Sequence, residues 1–290
     1  YQYPSLTTAG AWSTGGSLNT ARFKFAGAGT QTAAIVWGGL IPPYTANTEL
    51  YNGSSWTEVN NLGTARYGTS TAGTQTSALA GGGEAPLPAS VIAITESWNG
   101  TSWTEVNDMN LAKTQLTGVG VSNTSALAFG GYAPSLTAAT VTTEDWNGTS
   151  WTEVNDMNTA RYALAGAGIK TAALAIGGAT PTRTGAAEQW NGTSWTSVAS
   201  LNTARRGAGA SGSSSSTLAV AFGGDTPPHS AITESWNGTS WTETTDLSTA
   251  RSAMASGGTY SAAFAAGGEA PVTAATEEWT GAGAPVGAWS

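Results

Sequence analysis

A double glycine recurs six times along this chain of 290 residues, at Gly38-Gly39, Gly82-Gly83, Gly130-Gly131, Gly177-Gly178, Gly223-Gly224 and Gly267-Gly268. Successive pairs lie 44 to 48 residues apart. A second marker runs in step with them. The segment Trp98-Asn99-Gly100-Thr101-Ser102-Trp103 returns at Trp146 to Trp151, Trp190 to Trp195 and Trp236 to Trp241, with Tyr51-Asn52-Gly53-Ser54-Ser55-Trp56 as a variant. A period of this size means an array of similar small units. Each is too thin to bury its own faces, so each must stack on its neighbours.

The unit from Thr159 to Ser200 reads strand by strand. Ala160 to Gly168 is a strand of small and apolar residues. A short link leads to Thr171–Ile176, which ends on Gly177-Gly178. After a Pro-containing loop come Ala187–Trp190 and Ser194–Val198. Asn191-Gly192 between these is a strong hairpin signal, since a type I′ turn needs positive φ at both central residues. A two-residue turn sets Trp195 opposite Glu188. A four-residue Asn-Gly-Thr-Ser loop sets the two tryptophans face to face. No unit carries a 3.6-residue apolar period, which excludes a helical solenoid. Four short antiparallel strands, repeated, describe a propeller blade. The expected fold is all-β, a six-bladed β-propeller over residues 10–280. Residues 1–9 are an expected linker, and 281–290 a linker or the start of a further repeat.

The order Arg161, Gly177-Gly178, Glu188, Trp190, Trp195, with matching residues in the other units, resembles the kelch repeat, and the resemblance covers nearly all of residues 12–290. The regular Trp-Asn-Gly-Thr-Ser-Trp version is also similar to kelch-like repeats common in marine bacteriophage and environmental sequences. The resemblance implies a scaffold that binds through its loops. Kelch relatives that capture peptides use a polar cluster two residues beyond the repeat arginine. Here those positions are Lys24, Gly68, Gln115, Ala163, Gly207 and Ala253, mostly too small to grip an acidic peptide. Oxidases built on kelch propellers hold copper. With no cysteine and one histidine, His229, this chain lacks the ligands for such a site.

Charge is scarce. Charged residues make up 10% of the chain, against roughly 25% in soluble domains generally. Six of the 10 basic residues nevertheless occupy one repeated position: Arg22, Arg66, Lys113, Arg161, Arg205 and Arg251. An acidic residue recurs with them, at Glu49, Glu96, Glu144, Glu188, Glu234 and Glu277. That coincidence suggests pairing inside or between blades, where buried pairs specify geometry. A net charge of −8 with no basic run argues against nucleic acid as a partner. No apolar stretch is long enough to span a bilayer.

The search for chemistry finds no catalytic, cofactor or metal site. His229 sits in the loop Asp225-Thr226-Pro227-Pro228-His229, and nothing marks a nucleophile for it. What varies is the loop after each double glycine. In a ring these loops share one face, so Tyr44, Leu87, Tyr132, Leu136, Arg183 and His229 are the candidate contacts. The expected function is a non-enzymatic binding or structural module on an extracellular or virion surface, such as a phage fibre or appendage. Its expected partners are a protein or a surface glycan, with further propeller copies in tandem. The alternatives are an intracellular adaptor that binds a peptide and a carbohydrate-binding lectin.

Ring closure has its own signature. Trp12 precedes Arg22 by the interval that separates Trp56 from Arg66, whereas the last unit, ending at Trp279, lacks a Trp five residues on. The strand around Trp12 is therefore expected to complete the last blade, removing two exposed edges. Gly10-Ala11-Trp12-Ser13 also matches Gly287-Ala288-Trp289-Ser290, which makes Trp289 the rival closing residue.

Overall fold

The computed structural model describes residues 10–86, 89–211 and 216–281, and its architecture is a six-bladed β-propeller. Blades 1 to 6 begin with the innermost strands Ala26–Thr30, Ala72–Thr74, Thr117–Ser122, Ala165–Ile169, Gly209–Ala210 and Ala255–Thr259. Each is followed outward by three antiparallel strands. In blade 4 these are Ala172–Ile176, Ala187–Trp190 and Trp195–Val198. Among the described residues no helix is long and apolar enough to cross a membrane.

The innermost strands converge on the axis, and this explains the glycine and alanine content. A Cβ on Gly118 would lie 2.7 Å from Thr71 O of the neighbouring blade, and one on Gly27 would meet Ala255 Cβ at 3.0 Å. Most of the larger side chains lie farther out. There they form six separate cores between adjacent blades: one joins Leu174 and Ile176 of blade 4 to Trp236 and Trp241 of blade 5.

The tryptophan pairs bind each blade to the one before it. Trp190 lies opposite Trp195 with centroids 5.4 Å apart, so the loop has four residues. A type I′ Asn-Gly turn is not formed. Only Gly192 has positive φ, while Asn191 Oδ1 accepts the amides of Thr193 and Ser194, both at 2.9 Å. The asparagine side chain takes over the turn's hydrogen bonding, and the backbone no longer needs two left-handed residues. The outer indole reaches the previous blade, where Trp195 Nε1 donates to Thr143 Oγ1 at 3.0 Å. Trp56, Trp103, Trp151 and Trp12 do the same to Thr276, Thr48, Thr95 and Thr233. In blade 4 the matching position is Ala187, and Trp241 donates instead to the backbone oxygen of Ala199. Every indole among the described residues therefore finds an acceptor, as a buried N–H must.

The strand Ala11–Gly15 closes the ring as the outermost strand of blade 6, with Trp12 opposite Trp279. Trp289 lies outside the described residues.

Each repeated basic residue joins two blades. Arg161 Nη2 donates to Glu188 Oε1 at 2.9 Å, and its Nη1 to the carbonyls of Gly177 and Ala186. Glu188 Oε2 accepts the backbone and side-chain amides of Asn158, pinning the link between blades 3 and 4. The carbonyl of Arg161 in turn accepts the amide of Gly131 in blade 3. A Cβ on Gly130 would lie 2.7 Å from that carbonyl, and Gly130 and Gly131 both have positive φ, which accounts for a glycine at both positions. The pairs recur as Arg22–Glu49, Arg66–Glu96, Lys113–Glu144, Arg205–Glu234 and Arg251–Glu277, all buried. The shorter Lys113 gains Thr142 Oγ1, at 3.1 Å, as an additional acceptor. Burial lowers the pKa of all six basic groups, and the facing carboxylates oppose it.

Removing one partner from such a pair leaves the other charge buried. Arg161→Ala should lower the unfolding free energy by about 3–5 kcal/mol in denaturant titrations. Lys170 pairs with Asp145 at the surface, with both side chains more than a quarter exposed. Lys170→Ala should lower it by less than about 1 kcal/mol. Equal effects from the two variants would show that burial is not what gives Arg161 its weight.

Candidate binding face around the axial channel

The innermost strand starts, and the second strand ends, at the same end of every blade. The loops after the double glycines and the residues after the basic positions therefore share one face. At its centre six backbones form a closed circle of hydrogen bonds. Lys24 N donates to Ala253 O, Gly68 N to Lys24 O, Gln115 N to Gly68 O, Ala163 N to Gln115 O, Gly207 N to Ala163 O and Ala253 N to Gly207 O, at 2.7–3.0 Å. All six residues are left-handed, with φ between 50° and 67°. The six positions share no side-chain chemistry. Here the backbone does the structural work, and only Lys24 and Gln115 add long polar side chains at the mouth.

Behind the circle runs an axial cavity of about 430 Å³. Lys24, Gln115, Tyr162, Arg206, Asp225 and Glu269 line its mouth, and small residues such as Thr71 and Gly166 line its depth. The residue just after each basic position is Phe23, Tyr67, Thr114, Tyr162, Arg206 or Ser252. Each forms a β-bridge with the residue just after a double glycine: Leu40, Glu84, Tyr132, Ala179, Asp225 or Glu269. These twelve positions have constant geometry and changing chemistry. Sequence reasoning passed over Tyr67, Glu84, Tyr162, Arg206 and Asp225. The signal was available, because beside these constant residues the bridged pair, taken together, differs in every unit.

Of the candidate contacts, Tyr44 donates to Glu84 Oε1 at 3.2 Å and packs on Tyr67, which donates to Glu84 Oε2 at 2.6 Å. Burial first, then Glu84, raises the pKa of Tyr67, so this phenol remains a hydrogen-bond donor. Arg183 grips Asp225 with two bonds of 2.8 Å, and Arg206 Nε reaches the same carboxylate at 2.9 Å. Leu136 stands exposed on a short 3-10 turn, Pro134–Leu136. Tyr132 faces Tyr162 edge-on at 6.2 Å. Leu87 lies outside the described residues.

His229 does meet a serine: its Nδ1 is 2.9 Å from Ser252 Oγ, which also lies 3.3 Å from Glu269 Oε1. The carboxylate therefore touches the serine and not the second ring nitrogen, the reverse of the order that activates a serine. The amides of Ser252 and Ala253 bond to the carbonyls of Glu269 and Gly207, so neither is available to an oxyanion. Among the described residues no three of the His, Asp and Glu side chains converge as a metal site would require.

Among the described residues Lys24 has no carboxylate partner within ion-pair distance, unlike the other nine basic side chains. Its ammonium lies over the rings of Phe23 and Tyr67 at 5.8 and 5.3 Å, a geometry attractive to a cation.

Two expectations follow. A Cβ at Gly68 would sit 2.6 Å from Thr114 Oγ1 and 2.9 Å from Gln115 N, whereas at Gly207 the nearest atom is 3.4 Å away. Gly68→Ala should therefore destabilise by more than about 1 kcal/mol, and Gly207→Ala by less, since Ala163 and Ala253 already hold that backbone. Unfolding titrations that rank the two variants the other way would contradict this account of the circle.

The second expectation concerns acid. Burial pushes the Asp225 carboxyl up, but Arg183 and Arg206 more than reverse this and hold it below its ordinary value of 3.8. A depressed folded-state pKa contributes stability that is complete above the unfolded value and is lost as pH falls through the folded one. The stability difference between wild type and Asp225→Asn should therefore be flat from pH 7 to about pH 5 and shrink only below the ordinary carboxylate value. A difference already shrinking at pH 6 would contradict the clamp. No family model matches the chain, and no curated protein matches it.

Proposed function

We propose that this chain is a non-enzymatic binding module, a rigid kelch-type ring that presents its channel face to a partner on an extracellular or virion surface. The carrying observation is the contrast between constant and varied positions. Basic–acidic pairs, double glycines and tryptophans repeat around the ring and are buried. The twelve bridged positions at the mouth differ from blade to blade while keeping one backbone geometry. A rigid scaffold with a varied loop face is the arrangement in which binding residues concentrate. The order Arg, Gly-Gly, Glu-x-Trp, Trp supports the kelch reading, and the regularity of Trp-Asn-Gly-Thr-Ser-Trp supports placement in a phage fibre or appendage. The groups at the mouth are engaged with one another in ways that favour recognition over turnover: Tyr67 stays protonated on Glu84, and Ser252 lacks an oriented base.

The test uses glycan and peptide arrays together with a panel of hydrolase and oxidase substrates. Saturable binding to one array is expected, weakened at least tenfold by Arg206→Ala or Tyr67→Ala at a temperature where circular dichroism shows both variants still folded, with no turnover. Turnover abolished by His229→Ala or Ser252→Ala overturns the reading. So does the absence of binding on both arrays, or binding that neither mouth variant weakens.

A further inference from the structure

Contacts across the rim are unevenly distributed among the blades. Tyr44 of blade 1 bonds Glu84 of blade 2, Arg183 of blade 4 bonds Asp225 of blade 5, and His229 of blade 5 meets Ser252 of blade 6. At the rim between blades 3 and 4 the contact among the described residues is ring to ring, Tyr132 edge-on to Tyr162 at 6.2 Å, with no side-chain hydrogen bond. Between these blades lies a cleft of about 590 Å³ walled by Gln115, Tyr132, Tyr162, Thr180 and Pro181, with Thr137 to Ala139 on its rim. That volume is within the usual range of about 300–1,000 Å³ for small-ligand sites.

The chemistry of the walls narrows the occupant. No charged side chain lines the cleft, so a phosphate, carboxylate or ammonium ligand would lose its hydration without a counter-charge. A purely apolar ligand fits no better, because it would bury polar groups without partners. The Gln115 amide and the hydroxyls of Tyr132 and Thr180 make no hydrogen bond among the described residues. Tyr162 accepts from Arg206 Nη1 at 3.3 Å and keeps its own proton to donate. Covering these groups without satisfying them would cost about 1–3 kcal/mol each. The two phenol rings supply the apolar surface. What satisfies both requirements is a ligand with a face of C–H groups and a rim of neutral hydroxyls.

The site is also held in place. Gln115 belongs to the circle of backbone bonds and is left-handed at φ 52°, so its amide projects from a fixed point. Thr137, a β-branched residue, is left-handed at φ 51° on the rim, a backbone state that persists only where the surroundings impose it.

Resting on the binding-module reading above, we infer that the cleft between blades 3 and 4 binds one ring of a neutral saccharide. Its C–H face packs on one of the two phenol rings, Tyr132 or Tyr162, with the other as an edge wall at 74° to it, and its hydroxyls bond to Gln115 and Thr180.

Calorimetric titration tests this, using glucose, galactose, mannose, N-acetylglucosamine, N-acetylgalactosamine and their common disaccharides at millimolar concentration. Binding of at least one is expected. Gln115→Gly should weaken it at least tenfold while leaving the melting temperature unchanged or higher, because the variant removes the amide and relaxes a left-handed backbone. Tyr132→Phe should weaken it several-fold, and Lys170→Ala, at the surface outside the cleft, should leave it unchanged. No heat from any of these sugars overturns the inference, as does a sugar whose affinity survives both cleft variants. If partner binding is still lost in Arg206→Ala while every sugar fails, this inference falls alone and the binding-module reading stands.

Discussion

Everything in this ring hangs on the basic side chain at the head of each blade. Its guanidinium or ammonium meets the blade's own glutamate, and its carbonyl accepts an amide from the double glycine of the preceding blade. The glutamate's second oxygen ties down the link between the two blades. One buried pair thus sets three relations at once: strand to loop, loop to link, and blade to blade. Burial lowers the pKa of these basic groups, and the Nε–H of all five arginines lacks a partner among the described residues. The pair is better understood as fixing geometry than as adding stability, since a well-packed apolar substitute would forgo the desolvation penalty but also the directional bonds. In a chain with 10% charged residues, placing most of the basic ones at this joint shows where geometry has to be specified.

From that joint the rest follows outward and inward. Outward, the sheets widen, and tryptophan fills the space between blades while its indole N–H reaches a threonine of the neighbour. Where Ala187 replaces that threonine, Trp241 finds a backbone oxygen instead, which shows that the acceptor can change as long as the indole has one. Inward, the space shrinks and small residues, glycine and alanine foremost, make up most of the innermost strands, and the six left-handed residues close their circle around the axis. Closure by the strand Ala11–Gly15 joins the two ends of the ring within one sheet and leaves no innermost strand without a neighbour on either side.

How much of this could be read beforehand depended on whether a feature was carried by residue identity. The double glycines, the tryptophan pairs and the spare Trp12 are identities repeated at intervals, so blade number, strand order and closure were legible. The four-residue hairpin was legible only as one of two options, because deciding it required knowing that Asn191 would bond the amides of Thr193 and Ser194. The circle was invisible. Lys24, Gly68, Gln115, Ala163, Gly207 and Ala253 share a backbone conformation and no side-chain property, and four of them lack the glycine that usually announces positive φ. Ser252 and His229 meet across a blade boundary, and no periodicity could indicate that.

The same logic explains why the mouth was harder to see than the scaffold. A search for repeats gives weight to constancy, and so finds what holds a ring together. A ligand of low symmetry needs the opposite, different side chains delivered to equivalent points. Tyr67, Tyr162 and Arg206 occupy one structural position in three blades, yet one donates to a carboxylate, one faces another tyrosine and one shares an aspartate with Arg183. The uniform scaffold is what makes that difference usable, because side chains on identical backbones stand at fixed distances around the axis. In a propeller of near-identical blades, departures from the repeat that keep its backbone are the positions at which recognition can be encoded without disturbing the fold.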